Sequence, residues 1–154
     1  MRKALIITTL FFAFNLSLSA QEKVLTWKLP DTWEDTKTQK PMRIATLSVK
    51  KNKTLQISVT RFPGNVGGEL ANVNRWRGQI GLAPVKAEEL AKQLEVIDSK
   101  AGKAKLLNIS NNGKQMLALM IPYSGSTYFF KLLGKADEVK GQKDAMVKLA
   151  KSFQ

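Results

Sequence analysis

The chain has 154 residues and a net charge of +13, from 25 Lys and Arg against 12 Asp and Glu, with no histidine and no cysteine. That composition removes cysteine nucleophiles, disulfides, lipid attachment through cysteine, Ser-His triads and almost every zinc site. The excess of positive charge favours polyanionic partners such as phospholipid, envelope polymers or an acidic protein.

The N-terminus opens with Met1-Arg2-Lys3, continues with an apolar run from Ala4 to Leu16, and closes on Ser17-Leu18-Ser19-Ala20. A basic start, a short apolar core and small residues at the end are the three parts of a secretory signal. The run is shorter than the roughly 20 residues a bilayer-spanning helix needs, and Asn15 and Ser17 interrupt its end. The sequence therefore predicts a signal peptide over 1–20, cleaved near Ala20, and a single exported domain over 21–154, periplasmic or secreted. Loss of Arg2 and Lys3 takes the net charge from +13 to +11. Most of the remaining cations are lysines without a long like-charge run, and Lys50-Lys51-Asn52-Lys53 reads as a hairpin tip.

Short strands are expected at 24–29 and 42–49. In 54–62, Leu55, Ile57 and Val59 alternate with Gln56, Ser58 and Thr60, the pattern of a half-buried strand. Residues 69–80 form a helix that follows Pro63-Gly64-Asn65-Val66-Gly67-Gly68 and stops at Gly81. A short helix at 86–93 leads into a strand at 94–97. Residues 105–110 and 114–121 flank Asn111-Asn112-Gly113, the strongest short hairpin signal. The run Met116–Ile121 is apolar on both faces, which places it inside the sheet, and Pro122 is expected to end it. An aromatic strand at 127–133 and one long terminal helix at 135–153 complete the chain. The fold class is α+β, an antiparallel sheet of six or seven strands with three helices packed on it.

Two stretches carry a resemblance. Leu29-Pro30-Asp31-Thr32-Trp33, with the following strand Met42-Arg43-Ile44-Ala45-Thr46-Leu47, resembles the opening of domains with the PsbP-like fold. The segment from Gly67-Gly68-Glu69-Leu70 through Asn74-Arg75-Trp76-Arg77 to Leu82 is similar to the signature of a family of uncharacterised exported bacterial proteins. The first resemblance implies a sheet sandwiched by helices and an accessory or binding role, although fold alone does not settle function. The second brings no activity with it.

The helix 69–80 holds the candidate site: Asn74, Arg75, Trp76 and Arg77. At helical spacing Leu70, Val73, Trp76 and Ile80 form an apolar stripe, Arg77 lies within it, and Arg75 and Gln79 point away. An arginine on an apolar stripe needs acceptors, because burying it unpaired costs several kcal/mol. Two readings stand: an anion or partner site built from Asn74, Trp76 and Arg77, or a structural arginine that snorkels or pairs with Glu34, Glu95 or Asp98. The glycine-rich turn before the helix could present backbone N–H groups to phosphate, but Glu69 in the first turn opposes an anion. Ser48-Val49-Lys50-Lys51 has the Ser-x-x-Lys spacing on a strand end rather than a helix start, so it is not read as catalytic. Neither an enzyme, a metal nor a cofactor is expected. Nucleic acid is not an expected partner either, since the one aromatic residue among arginines, Trp76, turns toward the core. The expected function is a non-catalytic exported accessory or binding module whose partner is a protein or an envelope component. The alternative is electrostatic binding to an anionic membrane or polymer through the lysine-rich surface.

Overall fold

The computed structural model describes residues 23–154; the expected signal peptide and its cleavage point lie outside them. The elements are β1 (Trp33–Asp35), β2 (Ala45–Val49), β3 (Asn52–Pro63), α1 (Gly68–Gln79), α2 (Ala87–Gln93), β4 (Leu94–Ser99), β5 (Gly102–Asn111), β6 (Lys114–Tyr123), β7 (Ser126–Lys135), α3 (Ala136–Lys140) and α4 (Lys143–Lys151). All seven strands join one antiparallel sheet in the order β1-β2-β3-β7-β6-β5-β4. No helix among the described residues is long and apolar enough to cross a membrane.

Each sheet face has its own core because β5, β6 and β7 bury side chains in both directions. One face gathers Leu47, Leu55, Ile57, Val59, Leu117, Leu119, Phe130 and Leu132 under Val139, Met146, Leu149 and Phe153. The other gathers Leu107, Met116, Ala118, Met120 and Phe129 under Val73, Trp76 and Ile80 of α1. The alternation in β3 places Leu55, Ile57 and Val59 in the first core, as its period requires.

Of the four two-residue hairpins among the described residues, those after β5 and β6 put two consecutive residues at positive φ, Asn112-Gly113 and Ser124-Gly125, the geometry that matches strand twist. Pro122 does not end its strand. It pairs with Thr127 inside β6, where the β5 ladder has already stopped at Met120, so its missing N–H leaves no bond open.

Three further expectations are corrected. Residues 24–29 make no strand; Thr26 instead exchanges two backbone bonds with Gln154, 2.9 and 3.1 Å. The terminal helix is two helices, broken at Gly141-Gln142. Glycine is a weak helix former, and the break turns Gln142 Oε1 to accept from Trp33 Nε1 at 2.9 Å. Strand β1 was not expected, since three residues are too few to show a period.

Gly134 marks a close approach of β7 to its neighbours. A Cβ there would sit 2.7 Å from Leu55 Cδ1 and 3.2 Å from Val139 Cγ2. Gly134→Ala should therefore destabilise the protein by about 1–3 kcal/mol through overpacking, measured as a lowered urea midpoint. An unchanged midpoint would mean that Leu55 and Val139 have room to yield.

Candidate functional site

The helix α1 is narrower than the sheet it covers. It lies over β5, β6 and β7, and on the same face Ser58 and Thr60 of β3 are only partly covered beside it, while Thr46 and Ser48 of β2 are buried. The cross-strand row Thr46, Ser58, Lys131, Ala118 shows the boundary: apolar beneath the helix, polar beyond it. One row along, Thr60 pairs with Phe129, which pairs with Met120.

A recess of about 300 Å³ forms along this boundary. Ser58 and Thr60 line its floor, Phe62, Trp76 and Phe129 its apolar wall, and Arg75, Gln79 and Lys131 its charged and polar rim. Trp76 is buried and meets Phe129 edge-on with ring centres 5.7 Å apart. Phe129 also contacts Phe62, centres 6.2 Å apart. The hydroxyls of Ser58 and Thr60, on the polar side of an alternating strand, thus face a partly enclosed cleft.

The four sequence-predicted residues separate into two groups. Arg75 and Trp76 line the recess. Asn74 and Arg77 serve the other flank of α1. Asn74 acts as a strand partner to Val85, donating from Nδ2 to its carbonyl at 3.0 Å and accepting its N–H at Oδ1 at 2.8 Å. Arg77 donates Nε–H to the Ala83 carbonyl at 2.7 Å and Nη1–H to Gln93 Oε1 at 2.9 Å. It ties α1 to the following loop and to α2. None of the three acids considered as its partner is engaged with it: Glu34 pairs with Lys53, Glu95 with Lys143 and Asp98 with Lys103.

Three residues of this region lie outside the set expected from the sequence. Asn72, buried beside Val73, donates from Nδ2 to the carbonyls of Val66 and Gly68, both at 2.7 Å, and accepts from Arg75 Nη2. It fixes the glycine-rich turn, where Gly67 and Gly68 both take left-handed φ, and it orients Arg75 at the rim. Lys131 stands in the middle of the aromatic strand β7 and donates to Gln79 Oε1 at 3.0 Å. Arg43, just before β2, has an Nη1 shielded from solvent without a hydrogen-bond partner, and Thr46 Oγ1 is in the same condition. Such atoms are uncommon in native proteins.

The electrostatics follow from this placement. The Lys131 ammonium is held below the ordinary lysine value by burial first, then by the charges of Arg43 and Arg75. No carboxylate lines the recess. Glu34 shares this sheet face at the β1 edge, but it is hydrogen-bonded by Lys53 and by Ser48 Oγ at 3.3 Å, and the Lys53 bond lowers its pKa. Arg75 and Lys131 therefore meet at the recess with no carboxylate in its lining, while Arg43 lines a separate recess together with Asp35 and acts on Lys131 only through its charge. A larger hollow of about 510 Å³ between residues 28–32 and α4 sets Lys28 and Lys148 against Asp31 and Asp144, so its charges cancel.

No family model and no curated protein matches the chain. Among solved structures it is similar to cyanobacterial PsbP (CyanoP) from Synechocystis, at 16% identity over 84% of this chain and 91% of that one, with a TM-score of 0.49. It is also similar to LpqN, described as involved in cell envelope biogenesis of Mycobacterium tuberculosis, at 15% identity over 84% of this chain and 82% of that one, TM-score 0.46. The described residues form an α+β fold with a seven-stranded antiparallel sheet and helices on both faces.

Proposed function

We propose that the protein is an exported, non-catalytic binding module that captures an anionic component of the cell envelope in the recess beside α1. One observation carries this reading: Arg75 and Lys131 line a partly enclosed cleft that no carboxylate lines, and the charges of Arg43 and Arg75 both bear on the half-buried Lys131 ammonium. Like charges brought together repel, and an anion between them turns that repulsion into attraction. Export follows from the leader pattern of residues 1–20. The lysine-rich surface attracts polyanions at long range, while the recess supplies the fixed donors that hold one.

The purified protein should bind phosphatidylglycerol vesicles, and Arg75→Gln should weaken that binding about tenfold, the worth of one charge-assisted hydrogen bond. Neutralising the exposed hairpin tip with Lys50→Gln and Lys51→Gln should change it by less than about threefold, since exposed charges are screened by salt. The opposite ranking in a vesicle sedimentation assay would replace the recess with a diffuse basic surface.

A further inference from the structure

We infer that the recess takes a phosphate monoester carried on an apolar group, with Arg75 and Lys131 around the phosphate and Phe62, Trp76 and Phe129 against the carrier. This rests on the reading of the recess as an anion site and names the chemistry that fits it.

Charge comes first. A carboxylate brings one negative charge to the two lining cations, Arg75 and Lys131, whereas a phosphate monoester brings about 1.5 to 2 at neutral pH and three strong acceptor oxygens. Arg75 presents a planar donor fork that suits phosphate oxygens. The hydroxyl of Thr60 on the floor adds a neutral donor, whereas Ser58 Oγ already donates to the Lys131 carbonyl at 3.3 Å.

Size and apolar surface come second. About 300 Å³ is at the small end of ligand pockets, enough for one headgroup and the start of its carrier but not for a polymer strand or a folded partner. The carrier side is aromatic, and free phosphate would leave that wall unused. An aromatic wall beside the charged rim suits either a lipid or a soluble aryl or alkyl phosphate as the source.

Calorimetric titration of the purified protein separates the terms. Four probes are compared: dihexanoyl phosphatidic acid, phenyl phosphate, inorganic phosphate and hexanoate. At least one of the two carried phosphates should bind about tenfold or more tightly than both inorganic phosphate and hexanoate. Arg75→Gln should weaken that binding about tenfold, with unchanged circular dichroism. Tighter binding of the phosphatidic acid assigns a lipid headgroup as the source, and tighter binding of phenyl phosphate assigns a soluble organic phosphate. Inorganic phosphate binding equally well would overturn the apolar half of the inference, and hexanoate binding equally well would overturn the phosphate half. If no probe binds while capture of phosphatidylglycerol vesicles still depends on Arg75, the phosphomonoester is wrong and the envelope-binding reading survives. Loss of both removes both.

Discussion

Truncating Phe130 to alanine is expected to destabilise the protein by about 3–5 kcal/mol, a large part of the 5–15 kcal/mol that holds a typical domain together. Phe130 is fully buried at the centre of β7, the middle strand of the sheet. Its ring stacks on Phe153 with centres 5.1 Å apart and takes Trp27 edge-on, also at 5.1 Å. Those two partners come from opposite ends of the described chain. The N-terminal segment is further pinned by Leu25 N–H donating to the Tyr128 hydroxyl at 3.2 Å and by the Thr26–Gln154 bonds. The neighbours are sheet side chains and a helix end, so the cavity cannot close by a simple collapse. Equilibrium urea unfolding should show the loss with an unchanged slope. A loss below about 1 kcal/mol would mean that the termini are not anchored through this ring.

Lys131→Met should act in the opposite sense on stability and strongly on binding. The side chain is half-buried, and its ammonium is disfavoured by burial and by Arg43 and Arg75. Methionine keeps the reach and flexibility without the charge. The Gln79 amide loses one bond, but it is exposed and water can replace that bond. The native state binds this proton less tightly than the unfolded chain does. Stability is therefore penalised below the lowered folded pKa and recovers as pH rises toward the ordinary lysine value of 10.5. At pH 7 the variant should melt at or above the wild-type temperature, and the difference should narrow as pH approaches that value. Anion binding should fall about ten- to a hundredfold in the same variant, and wild-type binding should weaken as pH rises through the lowered pKa. A lower melting temperature with intact binding would make Lys131 a structural residue.

Much of the architecture was readable because it is periodic. The alternation of Leu55, Ile57 and Val59, the Asn-Gly hairpin and the doubly apolar run Met116–Ile121 each report a local geometry that the sheet adopts. What was misread lacks such a period or depends on distant residues. Thr26 finds its partner in Gln154, across the whole described chain. The helix break at Gly141 follows from a residue whose cost in a helix is small enough to be overlooked.

The site was half legible for a related reason. Helical spacing correctly turned Trp76 inward and Arg75 and Gln79 away from the apolar stripe. Nothing in that spacing says how wide the sheet is, and only a sheet wider than its helix turns the "away" side into the rim of a cleft. Lys131 reaches that rim from β7, and Asn72 orients Arg75 from within α1. A lysine amid Tyr128, Phe129, Phe130 and Leu132 was the available clue, because a charge in an interior strand implies an unfilled or polar neighbour.

Nuclear magnetic resonance of the labelled protein during titration with short-chain anionic lipid bears most directly on all of this. The Trp76 indole N–H and the backbone amides of Ser58, Thr60 and Lys131 should move together and saturate, while the lysine tip between β2 and β3 stays still. Saturating shifts at that tip or along α4, with the cleft silent, would contradict the assignment of the cleft beside α1 as the place where an anion is held.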